Sequence, residues 1–399
     1  MGRRLLLLNV AALSAAQVGV HTPRLAALAA RGTLTPLVPP LGALTCPAHA
    51  SMLTGRAPAE HGIVANGWLE RGHGRVFSWN RSRRLIEAPT LVDALRERRP
   101  GARAAWLFWR FGAHAGADLM VTERPTYWAS GRKSFDVYVE PGARHGPLLD
   151  AHGPFPFPRF WGPLAGLRST AWILGVTGSV LTGSAPTDGA RADGARAGAA
   201  PALVLSYAPY LDYDAQRYGP SDPRAVGALE RLDEALGGVL DAAEAEGVDV
   251  AVVSDYGFTD VSRPVFPNRV LRRAGLVAVH AAANGEVLEP GLCRALAVCD
   301  NQVAHVYVRD AADVPRVREL LAGTPGVARV LGADEVAAGS RIRTGWNSPP
   351  RRTSRAASRA STSRGSTRAS STAAAARRAG RASRCACCRR RRGSRCRST

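Results

Sequence analysis

Cysteines and long apolar runs are scarce in this sequence. Seven cysteines occur in 399 residues, and only Cys46, Cys293 and Cys299 precede residue 341. Three scattered cysteines make no disulfide framework, which fits a reducing compartment and predicts a cytoplasmic location. No run of about twenty apolar residues occurs, so no membrane-spanning segment and no membrane partner are expected.

Acidic residues are absent from the last part of the chain. No Asp or Glu follows Arg341, whereas eighteen Arg lie in residues 341–399. The formal net charge is +21, so residues 1–340 carry only +3 and have the balance of an ordinary globular protein. The tail is mostly Arg, Ser, Ala and Thr. It cannot bury enough apolar surface to fold alone, so we expect it to be disordered.

The tail allows three interpretations from the sequence. It is an Arg-rich arm that binds nucleic acid non-specifically, a plain disordered tail, or the product of a frameshift in GC-rich coding sequence. The last would replace the native C-terminus. The cysteines of the tail lack the paired spacing and the His partners of a structural zinc site.

The body alternates short apolar runs with helical patterns. Leu5–Val10 predicts a buried strand and not a signal peptide, because Asn9 interrupts the run. Thr22–Ala30 predicts a helix with Thr22 as N-cap and Pro23 at its first position. Further helices are predicted over Thr90–Arg98, Pro223–Glu246, Asn268–Ala274 and Val314–Leu321, and strands over Ala104–Trp109, Leu203–Tyr207, Val248–Ser254 and Ala304–Val308. This order predicts an α/β domain over residues 1–340, with a mainly parallel sheet covered by helices on both faces.

Two segments interrupt the alternation. Residues 110–166 are aromatic and rich in Pro and Gly, which predicts a lid or insertion over the loop end of the sheet. Residues 186–200 form a low-complexity Gly/Ala/Asp stretch, which predicts a disordered surface loop.

The most informative segment is Thr45–Gly55 (TCPAHASMLTG), followed by His61–Asn66 (HGIVAN). A threonine that caps a helix beginning at Cys46 would lie beside free backbone N–H groups, which favour a bound anion. The plain alternative is an N-cap threonine in front of a buried helix. The residues alone leave both interpretations open.

The spacing of these residues resembles the nucleophile region of the nucleotide pyrophosphatase/phosphodiesterase family of the alkaline phosphatase superfamily. That region has T-x-P-N-H, T-G and H-G-I-x-x-N, and Ala48 replaces the usual Asn here. The resemblance implies a three-layer αβα, alkaline-phosphatase-like fold. It also implies hydrolysis of phosphodiester or pyrophosphate bonds through a covalent phosphothreonine at Thr45, with Asn66 donating a hydrogen bond to a phosphoryl oxygen. Sulfatases share a similar string, but Thr45 cannot become their formylglycine.

Two later segments extend the resemblance to metal ligands. They are Tyr210–Pro220 (YLDYDAQRYGP) and Val253–Phe258 (VSDYGF). The resemblance implies two divalent ions, zinc, magnesium or manganese, held by Asp212 and Asp255 together with Asn9 and Thr45.

The chain departs from the family pattern at several of these ligands. Asn9 replaces an Asp, and Gln216 and Tyr256 each replace a His, so these residues are expected to be weak or replaced ligands. No His follows His305, although the family has a ligand His near its C-terminus. His305 is therefore a candidate ligand, with an ordinary core position as the alternative.

Three functions follow from the sequence. The first is a metal-dependent hydrolase of a small-molecule phosphoester. The second is a non-catalytic phosphate-binding protein of the same fold with a degraded metal site. The third is a nucleic-acid binder acting through the tail.

Overall fold

The computed structural model describes residues 2–185, 200–332 and 335–336. The strands are β1 Arg4–Val10, β2 Gly67–Glu70, β3 Arg75–Ser78, β4 Ala104–Leu107, β5 Leu119–Tyr127, β6 Lys133–Glu140, β7 Leu203–Ala208, β8 Val248–Val253, β9 Val279–Ala282, β10 Gly285–Leu288, β11 Ala295–Asp300 and β12 Val303–Val308. The α-helices are α1 Pro23–Ala30, α2 Thr45–Thr54, α3 Pro58–His61, α4 Leu91–Arg98, α5 His145–His152, α6 Leu167–Leu181, α7 Tyr210–Tyr218, α8 Pro223–Ala245, α9 Pro267–Arg273 and α10 Val314–Ala322. The predicted strands and helices of the body are therefore present, with ends that differ by one or two residues.

A six-stranded sheet forms the centre of the fold, in the order β6-β5-β4-β7-β1-β8. All neighbouring pairs are parallel except β5 and β6, which are antiparallel. In the middle of the sheet Asn9 lies opposite Tyr207 on one side and Val253 on the other. Parallel strands end at a common edge, so the loops after β1, β7 and β8 meet there.

Helices cover both faces of this sheet, because the side chains of a strand point alternately to opposite faces. Leu6 and Leu8 of β1 belong to the larger apolar cluster, which contains buried residues of α6 and α8. Leu7 belongs to a second cluster, which contains Cys46, Ala50 and other residues of α2. The fold is therefore the expected three-layer αβα arrangement.

The first helix begins where the sequence predicts, and Thr22 occupies the N-cap position, but the side chain of a different residue accepts the capping hydrogen bonds. Pro23 opens α1, and the hydroxyl of Thr22 bonds to the turn before the helix. The buried carboxylate of Asp233, in α8, accepts hydrogen bonds from the N–H groups of Arg24 (2.8 Å) and Leu25 (3.0 Å). A long-range contact therefore satisfies the N-terminus of α1.

The structure places part of residues 110–166, predicted as a lid or insertion, within the central sheet. β5 pairs with β4 within the central sheet, and β6 forms its antiparallel edge. Pro125 and Gly131 suggest a loop in the sequence. In the structure Pro125 lies within the edge pair, and Gly131 lies in its turn with a φ of 80°. Of the remaining residues, Phe155 and Phe160 are buried and pack against Phe108 of the loop after β4.

A smaller region follows the sheet, in which β11, β12, α9 and α10 surround a third apolar cluster, and β9 and β10 form a separate two-stranded sheet. The predictions for residues 186–200 and for the tail fall almost wholly outside the described residues. Within the described ranges, no helix combines the length and the apolar character needed to cross a membrane.

Candidate active site

The predicted site residues come from separate segments that end at one edge of the sheet. Asn9 lies near the end of β1, and Asp255 lies two residues after the neighbouring strand β8. Asp212 belongs to α7, which begins directly after β7 on the other side of β1. This edge, at the carboxyl ends of the strands, is where open α/β sheets place their ligands.

His49 connects two of these segments. Its Nε2 lies 2.5 Å from the side-chain nitrogen of Asn9 and 3.2 Å from Oδ2 of Asp255, and its Nδ1 accepts the backbone N–H of Arg110 (3.1 Å). The ring is fully buried and packs against Trp109. Burial lowers the pKa of His49, so the imidazole is neutral. The sequence analysis gave His49 no role in the site, although its place one turn after Thr45 was a usable signal.

Asp212 lies in a second hydrogen-bond cluster. The hydroxyl of Tyr256 donates to Oδ1 of Asp212 (2.7 Å), and Nε2 of Gln216 donates to both carboxylate oxygens (2.9 and 2.8 Å). Burial raises the pKa of Asp212 to about 6, although these two hydrogen bonds act in the opposite direction. The structure therefore brings the three predicted residues together, with Tyr256 and Gln216 as donors to Asp212.

Thr45 is the first residue of α2, and this corrects its predicted place as the cap. Leu44 occupies the N-cap position with extended backbone. The N–H of Cys46 donates to Oδ1 of Asn66 (2.8 Å), so this group is not free for an anion. The hydrogen bond between Cys46 and Asn66 nevertheless holds Asn66 beside the start of α2, next to Thr45.

Asp300 is a residue of this region that the sequence analysis missed as a site residue. Its two carboxylate oxygens accept the backbone N–H (3.0 Å) and the side-chain N–H (3.1 Å) of Asn66. Asp300 ends β11, far from Asn66 in the sequence, and nothing local in the sequence indicates the contact. Together with Cys46 it fixes the orientation of the Asn66 amide and leaves the second amide hydrogen for a ligand.

Burial changes the pKa of two further residues in this region, Cys46 and His305. Burial raises the pKa of the Cys46 thiol to about 12, so this thiol stays protonated and is a poor nucleophile. The ring of His305 hydrogen-bonds to the backbone of Val64, and burial lowers the pKa of His305. His305 therefore contacts the loop that leads to Asn66.

The donor atoms fit one cation better than two. In the part of the chain that the structure describes, no three His, Cys, Asp or Glu side chains are grouped to hold a metal ion. Both oxygens of Asp212 already accept protein hydrogen bonds. Asp255 differs, because its Oδ1 is buried and has no hydrogen-bond partner among the described residues. An unpaired carboxylate oxygen is a good ligand for a hard cation such as Mg²⁺.

Comparison with known proteins agrees with the fold and with the resemblance of the nucleophile region. The family model "Type I phosphodiesterase / nucleotide pyrophosphatase" matches residues 5–354. The chain therefore belongs to this family of phosphoric ester hydrolases. The match includes the first fourteen residues of the predicted tail, 341–354. A comparison with curated proteins gives no match.

Solved structures share the fold at low sequence identity. Murine ectonucleotide pyrophosphatase/phosphodiesterase 5 has a TM-score of 0.51 and 16% identity, over 81% of this chain and 71% of the murine chain. An inactive variant of the murine protein, with one threonine changed to alanine and in complex with AMP, has a TM-score of 0.50 at 16% identity, over 81% and 70%. Phosphonoacetate hydrolase from Sinorhizobium meliloti 1021, in complex with phosphonoacetate, has a TM-score of 0.55 and 17% identity, over 85% and 77%.

Proposed function

We propose that this chain hydrolyses a small phosphodiester or pyrophosphate with Thr45 as the nucleophile. The observation that carries the proposal is the hydrogen bond from Cys46 N–H to Asn66, which holds an amide beside the threonine at the start of α2. Family membership supplies the reaction class. The inactive threonine-to-alanine variant of the murine neighbour, with AMP bound, supports both the residue type and a nucleotide as test ligand.

The proposed reaction has two steps. Oγ1 of Thr45 forms a bond to phosphorus and loses its proton, the bond to the leaving oxygen breaks, and that oxygen takes up a proton. Water then cleaves the phosphothreonine and returns the threonine hydroxyl. The remaining amide hydrogen of Asn66 donates to a phosphoryl oxygen that gains charge in each transition state.

The proposed reaction includes one cation in place of the two that the family resemblance implies. A cation on Asp255 would lower the pKa of the Thr45 hydroxyl and offset negative charge on the phosphoryl oxygens. Asp212 does not fit the second ion, because donors occupy both of its oxygens, so no step is assigned to such an ion. Asp212 instead ties α7 to Tyr256.

The nucleophile is tested by substitution. Thr45→Ala should lower turnover of the p-nitrophenyl ester of thymidine 5′-monophosphate by roughly a thousandfold, and Thr45→Ser should retain measurable activity. Trapped enzyme should carry a phosphoryl group on Thr45, detected by mass spectrometry. Thr54→Ala, at the other end of α2, is the matched control and should keep wild-type turnover. Normal turnover by the Thr45→Ala protein would rule out covalent catalysis at this residue.

A second candidate function is phosphate binding without turnover. The observation in its favour is the hydrogen-bond cluster around Asp212, which fills the place of a metal site. Calorimetry separates the two functions, because a binding protein should take up inorganic phosphate or AMP while wild-type protein releases no product from any phosphoester supplied.

We also propose that one catalytic domain spans residues 1–340 and that the protein is cytoplasmic. The support for the location is the cysteine chemistry, because Cys46, Cys293 and Cys299 are free thiols in the structure. Nucleic acid is proposed as a partner only of the tail.

A further inference from the structure

We propose that Asp255 is the single cation-binding carboxylate of this chain, and that its one ion binds together with the phosphoryl ligand. The family resemblance implies a resident pair of ions instead. The inference rests on the proposed function only for the position of the ligand beside Thr45.

The backbone fixes which nitrogen of His49 carries the proton. Nδ1 accepts the N–H of Arg110, so Nδ1 has no hydrogen and the proton of the ring lies on Nε2. Nε2 therefore donates, and the carboxylate of Asp255 at 3.2 Å is one acceptor.

This proton decides the orientation of Asn9. Two N–H groups cannot face each other at 2.5 Å, so the atom of the Asn9 amide beside Nε2 must be its oxygen. The NH₂ group then occupies the other, unpartnered amide position, and an NH₂ group cannot bind a cation. Asn9 therefore accepts a hydrogen bond from His49 through its oxygen, and its NH₂ group has no partner among the described residues, so Asn9 is not a metal ligand.

Neighbouring side chains donate hydrogen bonds to both carboxylate oxygens of Asp212. The hydroxyl of Tyr256 donates a hydrogen bond to Oδ1 of Asp212 (2.7 Å). Gln216 presents its NH₂ group to both carboxylate oxygens. These hydrogen bonds take three of the about four lone-pair positions of the carboxylate, and neither Gln216 nor Tyr256 offers the imidazole nitrogen that the family pattern has.

Asp255 alone keeps an open position. One of its oxygens faces His49, and Oδ1 is buried without a partner among the described residues. Its side chain is fully buried, so an unpaired anionic oxygen there is costly unless a cation or a donor satisfies it. One carboxylate oxygen is too small a ligand set for a resident ion. It suits a cation that keeps several waters and completes its ligands with phosphate oxygens, as Mg²⁺ does.

Counting bound manganese in the full-length chain tests this inference. The electron paramagnetic resonance signal of free Mn²⁺ gives the number of bound ions, with and without inorganic phosphate. Wild-type protein should bind no stoichiometric ion without phosphate and one ion with it. Asp255→Asn should weaken this binding by at least about tenfold, whereas the matched variant Asp212→Asn should still bind one ion.

Asn9→Asp provides a gain-of-binding test that does not depend on a destabilised variant. The substitution is nearly isosteric and adds a second carboxylate oxygen, so it should bind one Mn²⁺ without phosphate. Two ions on wild-type protein, one ion without phosphate, none with it, or loss in Asp212→Asn but not in Asp255→Asn would overturn the inference. Ions are counted without turnover, so an inactive protein with the expected pattern would contradict the proposed reaction alone.

Discussion

At the scale of single residues, neighbours decide what each polar side chain of the site can do. Asn66 keeps one free amide hydrogen because Cys46 and Asp300 engage the rest of its hydrogen-bonding groups. Asp212 and Asp255 are both carboxylates after strands of the same sheet. Both oxygens of Asp212 accept hydrogen bonds, whereas the buried Oδ1 of Asp255 has no partner among the described residues. Two aspartates that look equivalent in the sequence therefore have different hydrogen-bond partners in the fold.

His61 of the H-G-I segment sets a pH dependence of stability. It is buried, its Nδ1 accepts the N–H of Ile63 (3.1 Å), and its Nε2 lies 2.9 Å from the hydroxyl of Ser51. Burial lowers the pKa of His61 to about 4 from an ordinary value of 6.5. Below about pH 6.5 the unfolded chain therefore binds a proton that the folded chain does not.

The contribution of His61 to the free energy of unfolding should be greatest above about pH 6.5 and should fall as the pH drops toward about 4. Burial lowers the pKa of His49 as well, which acts in the same direction, whereas the raised pKa of Asp212 acts in the opposite direction. Urea titrations at about pH 7.5, 5.5 and 4.5 measure the slope. His61→Asn should remove its contribution and make the rise of stability with pH smaller than in the wild type, and His280→Gln, at an exposed hairpin position, should leave the slope unchanged. An unaltered slope in the His61 variant would contradict this account.

At the scale of helices and strands, long-range contacts complete elements that the sequence begins. Pro23 marks the start of α1 correctly, but Asp233 of α8 supplies its cap. The hairpin of β5 and β6 also depends on distant contacts. Pro125 and Gly131 are residue types typical of loops, but Pro125 lies in the paired strand β5 and Gly131 in the turn of the hairpin. Pairing partners lie far apart in the sequence, and local composition does not reveal them.

Removing the cap should destabilise the fold measurably. Asp233→Ala leaves the N–H groups of Arg24 and Leu25 without their acceptor, and loss of a cap costs about 0.5–2 kcal/mol. The midpoint of urea unfolding should therefore fall, with an unchanged slope. Glu234→Ala, at the adjacent exposed position, is the control and should change stability little. Equal effects of the two substitutions would show that Asp233 is not the cap.

At the scale of the whole molecule, charge and chemistry lie in different parts of the chain. Residues 1–340 carry a net charge of +3, while residues 341–399 add eighteen Arg. The site residues all belong to the first part. Binding of polyanions and binding of the phosphoryl ligand are therefore expected to separate along the chain.

Deleting residues 341–399 should abolish most of the affinity for non-specific duplex DNA, together with its steep salt dependence. Fluorescence anisotropy at several salt concentrations measures both. A chain with every tail Arg changed to Gln keeps the length and should behave like the deletion. DNA affinity that survives both changes would place the binding surface on the body.

The sequence by itself determined the family, the strands β1, β7 and β8, and Thr45 as the candidate nucleophile. Those signals are local, because apolar runs and motif spacings lie within a few residues of each other. Only the tertiary structure decided which side chains donate to Asp212, which carboxylate accepts from Asn66 and which oxygen of Asp255 has no partner among the described residues. Asp300 lies 234 residues from Asn66, and Tyr256 lies 44 residues from Asp212. Strand order and packing bring such partners together, and a hydrogen bond depends on positions within a few tenths of an ångström that no motif spacing specifies.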